Sequence, residues 1–205
     1  MDSPDDLRFN VCLDQSCLLR FPGRSESRCP LCGAETVVAA PRLRRPFVVA
    51  SKSRRGPLIV LLDNIRSAYN VGSIFRSADG AGVSRIYLGG ISPTPSHLSF
   101  RKTALGADKS IAWSHHNNSV HLAQSLIENH HVLWALEQTE ESQDIFCAGT
   151  RRPEKPLVIV LGNEVTGIDP GLLALCEAKI QIPMFGSKES LNVACAFAIA
   201  AYALG

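Results

Sequence analysis

Five polar residues in three short segments have the types and spacing to act together. Asn70 and Arg76 belong to the stretch Asp63-Asn64-Ile65-Arg66-Ser67-Ala68-Tyr69-Asn70-Val71-Gly72-Ser73-Ile74-Phe75-Arg76. Glu164 sits in Leu161-Gly162-Asn163-Glu164-Val165-Thr166-Gly167, and Ser190 and Asn192 close the stretch from Ile182 to Asn192. Each has an ordinary role. Asn70, Ser190 and Asn192 suit helix N-caps, Arg76 a surface ion pair, and Glu164 a solvated turn. Their chemical reading is different. Asn70 and Arg76, six residues apart on one helix, would look toward the same side. Gly162 and Gly167 let a backbone turn sharply and approach a ligand beside the Glu164 carboxylate. No G-x-G-x-x-G is present, which disfavours the usual dinucleotide fold.

A second constellation is made of sulfur. Four of seven cysteines fall in the first 32 residues, as Cys12, Cys17, Cys29 and Cys32. The spacing C-x4-C-x11-C-x2-C ends in Cys29-Pro30-Leu31-Cys32-Gly33, a knuckle signal for structural zinc. Four protein ligands would close the tetrahedron and leave no place for a reacting water. A disulfide pair or four unrelated thiols are the alternatives, the first disfavoured in a cytoplasmic chain. Cys147, Cys176 and Cys195 are expected to be small core residues. The six histidines show no metal-ligand spacing.

The elements that must hold these residues follow from periodicity. Leu58–Leu62, Arg85–Leu88, His131–Leu136, Leu157–Leu161 and Lys179–Ile182 are runs of strand length. Asn70–Ala81, residues 119–130, Pro170–Cys176 and Leu191–Leu204 have helical character, with Gly82 ending the first. Strands alternating with helices predict a parallel α/β sheet. In such sheets ligands bind beyond the carboxyl ends of the strands, which is where the three polar segments fall. Residues 1–40 read as a small zinc-ribbon-like unit that needs a metal to be stable. Residues 41–57 read as a basic linker and 58–205 as the main domain.

Composition limits the classes. The chain has 205 residues, 45% apolar and 20% charged, with a net charge of +2. That is a globular balance rather than a disordered one. No apolar run approaches the ~20 residues that span a bilayer, and the acidic start lacks a secretory signal. A cytoplasmic setting without a membrane is the expectation. Arg42, Arg44, Arg45, Lys52, Arg54 and Arg55 form a basic run. It is either a solvated connector or a strip that contacts RNA phosphates.

Taken together, the three segments resemble the three motifs of the SpoU/TrmH-type RNA methyltransferases of the SPOUT superfamily. Motif one is carried by Asn64, Arg66, Asn70, Gly72, Arg76 and Ala78. Motif two is carried by Leu161-Gly162-Asn163-Glu164 through Gly167, and motif three by Ile182-Pro183-Met184 with Ser190-Leu191-Asn192-Val193-Ala194. Lys102-Thr103-Ala104-Leu105-Gly106-Ala107 resembles a further segment of one branch. The likeness runs from about Leu58 to the C-terminus, with Val165 where the family usually has glycine. It implies a C-terminal trefoil knot, a homodimer with its active site at the interface, and S-adenosylmethionine as methyl donor. The implied cofactor contacts are Leu161, Gly162, Asn163, Ile182, Met184, Ser190 and Leu191. The implied catalytic set is Asn70, Arg76, Glu164, Ser190 and Asn192, acting on a tRNA or rRNA ribose 2'-hydroxyl. The alternative is a knotted RNA-binding protein without activity. The N-terminal unit would either add RNA grip or only stabilise the fold.

Overall fold

Three unbroken apolar strands lie at the middle of the larger sheet, and their composition dictates that position. A computed structural model describes residues 7–25, 27–42 and 56–205. Of the basic run, only Arg42 falls among these; Arg44, Arg45, Lys52, Arg54 and Arg55 lie outside the described residues. The chain divides into two compact units, residues 1–51 and 52–205.

The first unit is a three-stranded antiparallel sheet of β1 (Leu7–Cys12), β2 (Arg20–Arg24) and β3 (Thr36–Pro41), in the order β2-β1-β3. Its register pairs Phe9 with Pro22 and with Ala40, with a bulge between Phe9 and Asn10 on the β3 side. Forty residues give little core, and among the described residues of this unit the buried positions are few: Asn10, Cys12 and Cys29.

The second unit contains β4 (Leu58–Asp63), α1 (Ala68–Gly80), β5 (Arg85–Gly89), α2 (Leu98–Ala104), β6 (Ala112–His116), α3 (Ser119–Glu128) and β7 (Val132–Leu136). It continues with β8 (Gln143–Asp144), α4 (Ile145–Ala148), β9 (Leu157–Leu161), α5 (Pro170–Leu173), β10 (Ala178–Gln181) and α6 (Val193–Leu204). All seven strands pair in parallel, in the order β6-β5-β4-β9-β7-β10-β8. β4 and β9 are buried along their whole length because helices cover both faces. On one face Val60, Leu62 and Ile159 pack with Phe75 of α1, Phe100 of α2 and Phe197 of α6. On the other, Ile59, Leu61 and Val158 pack with Leu122 and Leu126 of α3 and Leu172 of α5. Phe75 and Phe100 meet edge to face at 5.0 Å, a favoured aromatic geometry.

Several expectations need correction. Two strands, β6 and β8, join the five read from sequence, and α2 and α4 were not read. Ser67, not Asn70, caps α1: its side chain accepts from the Asn70 N–H. α6 begins at Val193 rather than Leu191, with Asn192 as the cap. Cys147 and Cys195 are exposed and so are not core fillers, whereas Cys176 is half-buried and packs against the core under α3 and α5. No helix among the described residues is long and apolar enough to cross a membrane.

Candidate active site

The carboxyl end of β4 organises the loops around it. Asp63 is the one acid of an otherwise apolar strand and is buried. Its Oδ1 accepts from the Ser119 hydroxyl at 2.7 Å and from Asn64 Nδ2 at 2.8 Å. Its Oδ2 accepts from the Asp169 N–H at 3.1 Å. One carboxylate thus ties the turn after β4, the start of α3 and the segment after β9. Asn64 takes a left-handed conformation with φ 55°, which asparagine tolerates better than most residues. Its carbonyl then accepts from Asn163 Nδ2 at 2.8 Å.

Asn163 shapes the next loop. Its Oδ1 accepts from the Val165 and Thr166 N–H groups, and its backbone exchanges two hydrogen bonds with Gly167. The turn closes so tightly that a Cβ on Gly162 would lie 2.2 Å from Ile168 N. Glu164 at its tip is carried to the start of α1. Its Oε2 accepts from the Arg66 N–H at 2.8 Å. Its Oε1 accepts from Asn70 Nδ2 at 2.8 Å and the Ser67 N–H at 3.3 Å. Partial burial pushes this carboxyl upward, but the Arg66, Asn70 and Ser67 donors outweigh it and hold the group below its usual value.

Asn192 completes the network. Its Nδ2 donates to Asn70 Oδ1 at 3.1 Å while its Oδ1 caps α6 at the Ala194 N–H. Asn70, Glu164 and Asn192 are therefore joined, from three segments 122 residues apart at the extremes. With Arg66 and Ser67 they line an open cleft of about 530 Å³, a size typical of small-molecule sites.

Arg76 is not brought to this cleft. Six residues along a helix leave about 120° between two side chains, so it and Asn70 face different ways. Arg76 is exposed on α1 and makes no hydrogen bond or ion pair among the described residues. Ser190 is exposed, is not among the residues that line the cleft, and makes no hydrogen bond among the described residues. Leu161 is buried at the end of β9, and Gly162, Ile182 and Met184 are half-buried, while Leu191 is more exposed. From Pro183 to Leu191 the main chain makes no hydrogen bond with the described residues. Arg66 and Ser67 were not foreseen as lining residues. Nor was the bracing role of Asp63, although an acid ending an apolar strand was the available signal.

The N-terminal cysteines converge as their spacing required. The four Sγ atoms lie within 4.8 Å of one another, with Cys12–Cys32 at 3.4 Å and Cys17–Cys29 at 3.7 Å. A tetrahedron with Zn–S bonds of about 2.3 Å has edges of about 3.8 Å, so the set fits a zinc ion. Main-chain N–H groups of Asp14, Leu19, Leu31 and Cys32 point at the sulfurs of Cys12, Cys17 and Cys29, as thiolate ligands require. Burial pushes the Cys12 thiol up to about 12. Burial also raises Cys29, but the Cys32 and Leu31 N–H groups and the neighbouring sulfurs bring it to about 7.

Comparison with known proteins agrees with this arrangement. The chain is 31% identical to the tRNA (guanosine(18)-2'-O)-methyltransferase of Aquifex aeolicus over 174 residues, 82% of this chain and 77% of that protein. It is 32% identical to the 23S rRNA (guanosine-2'-O-)-methyltransferase RlmB of Vibrio parahaemolyticus, covering 70% of this chain and 56% of that one. Among solved structures, the AdoMet-bound rRNA methyltransferase of Sinorhizobium meliloti superposes with a TM-score of 0.65 at 28% identity, over 73% of this chain and 56% of that chain. The chain thus spans little more than half the length of two of these three proteins. The sequence pattern of the SpoU rRNA Methylase family matches residues 57–202, the stretch that holds the whole parallel sheet and the Asn70–Glu164–Asn192 network, and the chain belongs to that family.

Proposed function

We propose that this protein transfers a methyl group from S-adenosylmethionine to a ribose 2'-hydroxyl of a tRNA or rRNA. The observation that carries the reading is the hydrogen-bonded network of Asn70, Glu164 and Asn192 at the carboxyl ends of the strands. The likeness to named ribose methyltransferases and to an AdoMet-bound structure supports it. The main chain from Pro183 to Leu191, with its N–H and C=O groups unspent, suits a ligand held through backbone atoms, together with Leu161, Gly162 and Asn163.

When bound, the cofactor supplies an electrophilic methyl group on a sulfonium. The chain's residues must orient the hydroxyl and lower the cost of its developing charge. Alignment of two reactants is worth roughly 7–11 kcal/mol. Glu164, with three N–H donors on it, is a brace that fixes Asn70 and the start of α1. Asn70 and Asn192 set the shape of the cleft, and Ser190 offers a hydroxyl at its rim. Arg76 holds the target's phosphate and stabilises the alkoxide. It keeps its proton, since arginine has a pKa above about 12, and the hydroxyl proton leaves to solvent.

Arg76 acts in a homodimer, on the cleft of the partner copy. α6 supports that assembly. It has no charged residue, and Cys195, Ile199 and Tyr202 recur along its outer side, Tyr202 at 67% exposure. The knotted threading of the segment before α6 and a cytoplasmic setting, where thiols stay reduced, belong to the same reading.

Labelled methyl transfer to total RNA tests it, with the product mapped to a ribose 2'-oxygen. Arg76→Ala should abolish transfer and leave cofactor binding intact. Mixing Arg76→Ala with Asn192→Ala chains should restore about a quarter of the wild-type rate by random pairing. No recovery in a mixed dimer would place Arg76 at its own chain's cleft.

A further inference from the structure

Charge is unevenly spread along this chain. Between Asn64 and Ser110 stand six cations, Arg66, Arg76, Arg85, Arg101, Lys102 and Lys109, against two carboxylates, Asp79 and Asp108, while the whole chain is only +2. α2 concentrates the asymmetry. Arg101 and Lys102 are exposed between Leu98, 81% exposed, and Leu105, 65% exposed, and the helix has no acidic residue. Their spacing of i, i+3, i+4 and i+7 makes these four one stripe. Leu105 closes the helix in a left-handed conformation, φ 49°, which a leucine adopts only at a cost. The side chains of Arg76, Arg101 and Lys102 make no hydrogen bond or ion pair among the described residues.

This stripe adjoins the start of α1. Thr103, next to Lys102, donates its hydroxyl to the Tyr69 carbonyl at 3.0 Å, and Phe100 and Thr103 crowd Gly72. At about 100° per residue, Tyr69 leaves α1 between Asn70, which lines the cleft, and Gly72, which meets α2. Arg76, seven residues on, shares that side about 10 Å farther along. Tyr69 is 48% exposed. The outer face of α1 and α2 thus carries a ring, three cations and two bare leucines, and it is continuous with the cleft. Cations around an exposed ring match a polymer of flat bases and anionic phosphates.

We propose that this face binds a single-stranded stretch of RNA running to the target nucleotide, with phosphates on Arg101 and Lys102 and a base stacked on Tyr69. Opposite charge selects the backbone, since each phosphate neutralised by a cation releases a counterion. The ring selects a single strand, because bases inside a duplex have no free face to stack. Leu98 and Leu105 cover the apolar parts of sugars and bases that such a strand leaves open. Stacking on an aromatic ring is tolerant of base identity, so this face places the strand rather than choosing its sequence. The choice of RNA and its direction toward a target rest on the methyl-transfer reading; the face itself rests on charge, exposure and the packing of α2 on α1.

The test uses the full chain and two fluorescein-labelled RNAs, a 12-nucleotide oligouridylate and a duplex of the same length, read by anisotropy. Far-ultraviolet dichroism and the thermal midpoint are the folding controls. The oligouridylate should bind more tightly than the duplex. Tyr69→Ala should weaken its binding about ten-fold and Tyr69→Phe should retain it. The Arg101→Ala/Lys102→Ala double variant should lower the slope of log affinity against log salt by about 1.4, from roughly 0.7 per phosphate contact on a single strand. A 4-thiouridine version of the oligonucleotide, crosslinked to wild-type protein, should leave adducts in residues 67–76 or 98–105. The crosslink does not depend on any variant folding. Unchanged affinity in both folded variants, a duplex bound at least as tightly, no binding by wild type, or adducts only elsewhere would overturn the proposal. A fall in mass by light scattering in the double variant, with oligouridylate affinity unchanged, would make this face a contact between copies and overturn it too. Methyl transfer to total RNA with affinity unchanged in the variants would leave the enzymatic reading standing without this face. Binding lost in the variants while wild type transfers no methyl to any RNA would retain the face and refute that reading.

Discussion

The Glu164 carboxylate accepts from two backbone N–H groups and the Asn70 amide, which leaves it little capacity to take a proton from a substrate. Its place is to hold the turn after β9 against the start of α1. Glu164→Gln removes the charge and weakens three accepted bonds. A lost acceptor for such donors costs about 1–3 kcal/mol, or roughly 5- to 150-fold in rate if the site must be assembled to react. We expect kcat to fall by that range with the fold intact, measured by steady-state methyl transfer and thermal unfolding. The pH dependence has a defined sign. The folded carboxyl lies below its usual value of 4.5. Its contribution is therefore complete above the unfolded value and is lost as pH falls through the folded one. The thermal midpoint should be flat from neutral pH down to about 5 and fall below that, and the part of the fall owed to this carboxyl should be missing in Glu164→Gln. Thermal unfolding of both proteins across that range would decide it.

At the scale of elements, the approach of α1 to α2 sets where Asn70 stands. Gly72 makes it possible: a Cβ there would lie 2.2 Å from Thr103 Oγ1 and 2.5 Å from the Phe100 carbonyl oxygen. The second contact is backbone and cannot swing aside. Thr103 Oγ1 also donates to the Tyr69 carbonyl at 3.0 Å, next to Asn70. Gly72→Ala should therefore cost about 1–3 kcal/mol, as overpacked sites do, although alanine is the better helix former. The thermal midpoint should drop by several degrees and transfer activity should fall with it. An unchanged midpoint would mean that the two helices separate at little cost.

For the whole molecule, the division at residue 51 makes stability a two-part quantity. The sheet of β1 to β3 buries little apolar surface, so we expect the four cysteines to hold about one zinc per chain and supply most of its stability. Chelation should remove the β-signal of residues 7–42 while the larger unit keeps its unfolding midpoint and its affinity for S-adenosylmethionine. Metal analysis and calorimetry on the same sample would show whether the two losses separate. A single transition that moves as a whole on chelation would contradict the expectation.

The sequence by itself determined the parallel α/β class, because β4, β7 and β9 are runs that only a doubly covered sheet can bury. It pointed to the converging cysteines, because knuckle spacing suits four ligands on one ion, while a disulfide pair or unrelated thiols stayed open until the structure brought the four sulfurs together. It also marked Asn70, Glu164 and Asn192, since polar residues at strand ends need not obey the hydrophobic period around them. It missed β6 and β8, whose edge positions leave them half-polar or two residues long, without a strand's pattern. What only the tertiary structure decided is pairing. Asp63 reaches Ser119 and Asp169, Asn163 reaches Asn64, and Arg76 turns away from Asn70, because partners 56 to 106 residues apart are chosen by strand order and helix phase. Local preference fixes which residues end a strand; the order of strands in the sheet fixes which of those ends meet.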